Sequence, residues 1–229
     1  MDKIDIISQI EGELTWRSEE LIFLKNQLSI IEKEEDKERY RKSLVVMLYS
    51  YYEGFCKSAF QIYINAINSE NLKRKDVNLL IRTSSMHEIF LNYGNESKKD
   101  SRFNKELPDD SKLHKYSRQV VFIEEFANFL NETVNIPEGV VDTESNLKPV
   151  VLKKILYRLG FAFEEIDISE NTINKLLGYR NAISHGSKKN GISEEEYNKL
   201  EKDVKTLMDT IRIIINKAII SDDYLFKAQ

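Results

Sequence analysis

Residues 178–186 read Gly-Tyr-Arg-Asn-Ala-Ile-Ser-His-Gly, and this stretch holds an arginine and a histidine five positions apart. Arg180 carries a permanent charge on a planar fork of donors, which suits a phosphate group. His185 can exchange protons near neutral pH, because an unperturbed imidazole has a pKa of about 6.5. An arginine that holds a phosphate and a histidine that moves a proton form a minimal set of groups for cleaving RNA without a metal ion.

The spacing of these two residues also predicts where they lie on a helix. Five steps rotate by about 140° at 3.6 residues per turn, so the two side chains do not share one face of a regular helix. Gly186 can end the helix, since glycine readily adopts the left-handed conformation that follows a last turn. We therefore expect Arg180 in the last turn and His185 at its end, where the helix dipole favours a protonated imidazole.

Three stretches of the chain resemble one family. The segment from Arg180 to His185 resembles the Arg-x4–6-His motif of the HEPN superfamily, which includes many RNA-cleaving toxins of prokaryotes. Residues 51–57, Tyr-Tyr-Glu-Gly-Phe-Cys-Lys, resemble the Trp/Tyr-Glu-Gly-x-x-Lys helix of the RiboL-PSP-type HEPN-like nucleases. Residues 145–161, from Ser-Asn-Leu to Leu-Gly-Phe, resemble the stretch before the motif helix in that subfamily. The three stretches follow one another in the family's order.

The resemblance implies an all-α, HEPN-like bundle of long antiparallel helices with the activity of a metal-independent endoribonuclease. It implies Arg180 and His185 as the catalytic residues, with Asn181 and Ser184 positioning the phosphate or the imidazole. HEPN proteins typically pair two motifs across a dimer, so we expect a homodimer whose motif helices face each other. RNA would be the substrate. A role as a toxin or an antiphage effector would add an antitoxin or a defence-system protein as a partner.

Glu53 and Lys57 are candidates for supporting roles. They lie one helical turn apart, so they can form an ion pair on one face of a helix. An exposed pair of this kind contributes only roughly a few tenths of a kcal/mol to stability. The resemblance adds a second interpretation, in which the Glu53 carboxylate orients Arg180, His185 or the motif of the partner chain.

The composition is typical of a helical globular protein. Of the 229 residues, 41% are hydrophobic and 31% are charged, whereas only 8 are glycine and 3 are proline. So few turn-forming residues favour long helices over many short strands. We expect a single domain over residues 1–229, with a polar insertion around residues 94–117 that contains Pro108.

The charge and the single cysteine narrow the functional classes. The formal net charge of -4 argues against a general nucleic-acid coat, although it permits a local basic cleft. Cys56 alone cannot form an intrachain disulfide or a cysteine-based zinc site, and this suits a reducing, cytoplasmic compartment. No metal-binding or phosphate-loop motif occurs, so we expect no metal and no cofactor. We also expect no signal peptide and no membrane span, because no long apolar run occurs.

Apolar residues recur at helical spacing along most of the chain. The second predicted helix is apolar over a wide arc, so it should lie at the centre of the bundle. Trp16 and Phe23 are expected in the packing surface of the first helix, and Ile123 and Phe126 should point inward from the fourth. The pattern predicts helices over residues 4–32, 36–68, 74–93, 120–132 and 149–159, a motif helix from Ser169 and a last helix after the capping box Ser193–Glu196.

Two other interpretations remain open at this point. The chain would be a noncatalytic HEPN-like module if it only binds a nucleotide, RNA or a protein within a toxin–antitoxin or defence system. It would be a plain helical scaffold if Arg180 lies at the edge of the core and His185 merely caps a helix. Cleavage of RNA in the presence of a chelator would separate the nuclease from both of these.

Overall fold

The computed structural model of the chain describes residues 2–104 and 109–227. Over those ranges the chain forms α-helices and short 3₁₀ turns without a β-strand, so the prediction of an all-α bundle is confirmed. Pro108 lies outside the described residues. The helices are α1 (Lys3–Asn26), α2 (Glu34–Ser69), α3 (Leu79–Ser85), α4 (His87–Gly94), α5 (Ser111–Asn131), α6 (Pro149–Arg158), α7 (Glu170–Ser184) and α8 (Glu194–Ile220).

α2 lies at the centre of the bundle, as its wide apolar arc predicts. It packs against α1, α7 and α8, and side chains on several of its faces are buried. A helix that is apolar on more than one side has to be surrounded by other elements. The largest of its fully buried side chains are Tyr52, Tyr63, Phe55, Phe60, Leu44, Leu48, Ile64 and Ile67.

α1 and α8 run antiparallel beside α2 and are joined by ion pairs. Arg212 of α8 contacts Glu11 of α1 at 2.5 Å, and Lys25 of α1 contacts the buried Glu201 of α8 at 2.7 Å. Lys205 also contacts Glu201, at 2.6 Å. Burial by itself would raise the pKa of Glu201, but the hydrogen bonds from Lys205 and Lys25 outweigh it and hold this pKa below its usual value.

The expectation that Trp16 and Phe23 belong to the packing surface of α1 is wrong. Their exposed fractions are 44% and 64%, and the Trp16 ring contacts the edge of Tyr51 and the guanidinium of Arg17. The predicted helix over residues 74–93 is also divided into the 3₁₀ turn Arg74–Asp76, α3 and α4. Asn78 causes the first break, because its side chain accepts a hydrogen bond from the N–H of Ile81 and starts α3 there.

α5 begins at Ser111, inside the segment predicted as a polar insertion, because Asp110 caps it by accepting hydrogen bonds from Lys112 and Leu113. The expectation that Ile123 and Phe126 point inward is wrong, since their exposed fractions are 73% and 42%. α5 packs on α4 and on the 3₁₀ turn Arg74–Asp76, so the bundle covers it on one side only.

The helix ends that surround the motif follow their sequence signals. Pro149 stands in the first turn of α6, and Gly160 follows that helix with a φ of +82°. Ser193 caps α8 by accepting a hydrogen bond from the N–H of Glu196. Within residues 2–104 and 109–227, no helix has the length and apolar content that a membrane span requires.

Candidate active site

The end of α7 places His185 at the surface. The helix ends at Ser184, and the N–H of His185 still donates to the carbonyl of Asn181 at 2.9 Å. Gly186 then adopts a φ of +70° and donates to the carbonyl of Ile183 at 3.0 Å, which closes the last turn. The imidazole is exposed, and among the described residues no group hydrogen-bonds to it. It is therefore accessible to a substrate.

Arg180 is held from three directions. Its Nη1 donates to Oδ1 of Asn146 at 3.1 Å and to Oδ1 of Asn181 at 2.9 Å. Its guanidinium carbon lies 5.0 Å from the centroid of the Tyr49 ring, which is a cation–π contact. Within the described ranges, Nε and Nη2 have no hydrogen-bond partner. One edge of the guanidinium is thus fixed by the protein, while donors on the other side remain for a ligand.

Tyr49 connects Arg180 to the loop before α6. Its hydroxyl accepts a hydrogen bond from the buried N–H of Leu147 at 3.1 Å, and Leu147 directly follows Asn146. Burial, assisted by the nearby Glu53 carboxylate, raises the pKa of Tyr49 to about 12, although the Arg180 charge acts in the opposite direction. The phenol therefore stays neutral at physiological pH. Its role here is to hold Arg180 and the loop, not to transfer a proton.

Glu53 lies one turn beyond Tyr49 on α2 and is half-buried, whereas Lys57 is exposed. The carboxylate of Glu53 is close enough to Tyr49 to act on the pKa of the phenol. In the described part of the chain, no ion pair joins Glu53 to Lys57. Glu53 therefore lies near Tyr49, which in turn contacts Arg180, whereas Lys57 faces solvent.

Gly54 explains another part of the 51–57 stretch. A Cβ at this position would lie 3.3 Å from Nη2 of Arg17, a buried arginine of α1. Arg17 is in turn held by Glu13, at 2.6 Å, and by the hydroxyl of Ser58, at 3.3 Å. The glycine thus allows the close approach of α1 to α2. Glu53, the residue before it, lies instead beside Tyr49.

The structure brings some of the sequence-predicted residues together and leaves others apart. Asn181 contacts Arg180 directly, whereas Ser184 is exposed at the helix end without a hydrogen bond from its hydroxyl in the described residues. Tyr49 and Asn146 were missed as site residues. Their signals were present, because Tyr49 stands one turn before Glu53 and Asn146 lies within the 145–161 stretch.

The described residues contain no group of three or more His, Cys, Asp or Glu side chains placed to hold a metal ion. Cys56 is fully buried, and burial raises the pKa of its thiol well above the usual range. The charged or titratable groups that the motif offers to a substrate are therefore the guanidinium of Arg180 and the imidazole of His185, with the exposed hydroxyl of Ser184 beside them in the sequence. A cation with donors on one plane and a titratable ring, both at the end of one helix, suit a phosphodiester.

The chain matches the sequence model of the family described as RiboL-PSP-HEPN over residues 13–217. This range includes the 51–57 stretch, the loop with Asn146, and both Arg180 and His185. No curated protein and no solved structure shows a significant match to the chain. The family model covers most of the chain and includes every residue of the site, so the protein belongs to the RiboL-PSP-HEPN family.

Proposed function

We propose that this protein is a metal-independent endoribonuclease that leaves a 2′,3′-cyclic phosphate and a 5′-hydroxyl. The observation that supports it best is the pairing of a guanidinium held by Asn146, Asn181 and Tyr49 with the exposed His185 at the end of the same helix. The family assignment agrees with an RNA-related function. The proposed biological role is that of a cytoplasmic toxin or antiphage effector.

In this reaction the 2′-hydroxyl of RNA is the nucleophile. Its proton leaves as the 2′-oxygen bonds to phosphorus, the bond from phosphorus to the 5′-oxygen breaks, and the 5′-oxygen takes up a proton. His185 accepts the first proton or supplies the second, since an imidazole can do either near neutral pH. DNA lacks the 2′-hydroxyl and is not a substrate.

Arg180 stabilises the negative charge that grows on the nonbridging phosphate oxygens. The donors that the protein leaves unpaired, on Nε and Nη2, can form two parallel hydrogen bonds to such oxygens. Because Asn146, Asn181 and Tyr49 already orient the guanidinium, little side-chain freedom is lost when the phosphate binds. Asn181 therefore acts on the substrate through Arg180, and Ser184 is left to contact the phosphate or the imidazole directly.

A homodimer with facing motifs would complete the site. One imidazole cannot easily serve both sides of an in-line displacement, in which the entering and leaving oxygens lie opposite each other. A second copy of α7 would bring a second His185 and a second Arg180 to the same phosphate. The exposure of His185 leaves it available for such an arrangement. An antitoxin or defence-system protein would then control access to the shared cleft.

The decisive experiment uses two oligonucleotides of the same sequence, one all RNA and one with a single 2′-deoxynucleotide before the cleaved bond. In EDTA the purified protein should cut the first, leave the second intact and produce cyclic phosphate ends. His185→Ala should lose about 10²–10⁴ in rate. His87→Ala is the control, because His87 is an exposed histidine of α4.

If His185→Ala cuts RNA in EDTA as fast as the wild type, the proposed role of His185 is wrong. If the wild type binds RNA but does not cut it, the protein is the noncatalytic binding module instead. If it neither binds nor cuts RNA, the nuclease and the RNA-binding form of the noncatalytic module are both excluded.

A further inference from the structure

Two lysines lie against the ring of Tyr179, the residue before Arg180, and a third contacts the backbone beside one of them. The Nζ atoms of Lys188 and Lys175 are 4.9 Å and 5.8 Å from the centroid of the Tyr179 ring. Lys42 donates from Nζ to the backbone carbonyl of Lys188 at 2.7 Å. The hydroxyl of Tyr179 donates to the carboxylate of Glu196, which fixes the ring. We call Lys42, Lys175 and Lys188 the Tyr179 lysine cluster.

The lysines of this cluster have no carboxylate partner of their own in the described residues, and the one carboxylate beside them, that of Glu196, accepts from the Tyr179 hydroxyl. In the described ranges none of the three lysines forms an ion pair, whereas Lys3, Lys25 and Lys205 each contact a carboxylate. A cation–π contact orients an ammonium group without cancelling its charge. The cluster is therefore an oriented positive site on a chain whose formal net charge is -4. Such a local excess of positive charge calls for an anionic ligand.

The cluster lies beside the candidate active site. Lys188 follows His185 by three residues, so their Cα atoms are at most about 11 Å apart. The loop that carries Lys188 is anchored to α2, because the N–H of Ile192 donates to the carbonyl of Glu38 at 3.1 Å. Arg41 donates to the carbonyl of Ile192 at 3.4 Å as well. Lys188 thus holds a defined position next to His185.

We propose that the Tyr179 lysine cluster binds the phosphodiester backbone of single-stranded RNA on one side of the scissile phosphate. This inference rests on the proposed function, since it extends the RNA strand beyond Arg180 and His185. Lysine contacts to phosphates carry no sequence information, so the cluster would contribute affinity and position, not base preference. It also accounts for RNA binding by an acidic protein, because only the charge near the strand matters.

The test measures binding in the His185→Ala background, where RNA is not consumed. A short, unstructured fluorescent RNA is titrated at several salt concentrations with and without Lys175→Gln/Lys188→Gln. Each phosphate contact adds about 0.7 to the slope of log affinity against log salt for a single strand, so losing two should reduce that slope by about 1.4. At low salt the affinity should fall roughly tenfold, because two ionic contacts are lost.

A matched control removes two lysines elsewhere. Lys73 and Lys75 are exposed and, in the described chain, unpaired. They follow the end of α2, which lies about 30 Å along the helix axis from Tyr49 at 1.5 Å per residue. Lys73→Gln/Lys75→Gln changes the net charge equally and should leave the slope as it is. An equal loss of slope in both pairs, or no loss in Lys175→Gln/Lys188→Gln, would overturn the proposed subsite.

Cleavage kinetics separate this proposal from the proposed function. In the active protein, Lys175→Gln/Lys188→Gln should raise KM for the oligonucleotide more than it lowers kcat, and the loss should be smaller on a dinucleotide that cannot reach the cluster. If the wild type cuts RNA but the lysine variant keeps the salt slope of binding, the subsite is wrong and the nuclease stands. If the wild type does not cut RNA but the lysine variant binds RNA more weakly than the wild type does, the nuclease is wrong and the RNA-binding subsite stands.

Discussion

The guanidinium of Arg180 lies over the ring of Tyr49, 5.0 Å from its centroid. The same tyrosine accepts the N–H of Leu147 and so anchors the loop whose Asn146 accepts a hydrogen bond from Arg180. A cation–π contact contributes about 0.5–2 kcal/mol, depending on how far it is shielded from water. The orientation of the motif arginine is therefore set by α2 and by the loop before α6, as well as by its own helix.

Arg180→Lys tests the phosphate contact. An ammonium group cannot form two parallel hydrogen bonds or lie flat on the Tyr49 ring, so we expect a loss of about 10²–10³ in kcat, as for removal of one donor to a developing oxyanion. Single-turnover RNA cleavage measures it. Arg158→Lys is the control, since Arg158 is exposed on α6. Near-normal cleavage by Arg180→Lys would contradict the role given to the guanidinium.

Two substitutions of Tyr49 separate its ring from its hydroxyl. Tyr49→Phe keeps the ring but leaves the buried N–H of Leu147 unpaired, so it should lose about 1–3 kcal/mol of unfolding free energy. Tyr49→Leu also removes the surface on which Arg180 rests, so its kcat should fall further. Urea unfolding and RNA cleavage measure the two effects. If Tyr49→Phe were the less active of the two, the ring would not be what positions Arg180.

Asn146→Asp tests how Arg180 is shared between the protein and the substrate. The carboxylate is nearly isosteric with the amide but would form an ion pair with Arg180 and compete with the phosphate for it. We expect kcat/KM for RNA to fall by about tenfold or more. The control is Asn174→Asp. Asn174 is exposed on α7, and its substitution adds the same negative charge to the motif helix. Equal losses in the two variants would indicate only a general repulsion of RNA.

Gly160 and Gly186 both end a helix with a positive φ, but their surroundings differ. A Cβ on Gly186 would meet no atom within 4 Å, so Gly186→Ala should cost only the backbone strain, about 1 kcal/mol. A Cβ on Gly160 would lie 2.8 Å from Nδ2 of Asn78, which donates to the carbonyl of Asp223. Gly160→Ala should therefore be more destabilising, by about 1–3 kcal/mol more, in urea unfolding. Equal costs would show that Asn78 moves freely.

Glu201 should make stability depend on pH. Its pKa is lowered in the folded protein, because the hydrogen bonds from Lys205 and Lys25 outweigh burial, so the ionised form stabilises the fold at neutral pH. This contribution is lost as the pH falls below the usual value of 4.5 and then through the folded pKa. Thermal unfolding of wild type and Glu201→Gln should differ at pH 7 and converge on acidification. Glu124→Gln, at an exposed position of α5, should show no such trend.

Local features of the chain could be predicted because their causes are local. Ser193 and Gly160 mark helix ends through hydrogen bonds and backbone angles that involve only neighbouring residues. The apolar pattern of α5 was visible as well, but Ile123 shows its limit. Periodicity reveals that a helix has an apolar face, whereas only the packing decides whether another element covers it.

By itself, the sequence determined the all-α class, the family, the position of α7 and the presence of an arginine and a histidine at its end. Helix periodicity, capping and short motifs depend on residues that are close together in the chain. Only the tertiary structure decided that Tyr49 and Asn146 hold Arg180 and that Lys42 joins the lysines around Tyr179. Those contacts connect residues far apart in the chain, and their existence depends on how whole helices pack.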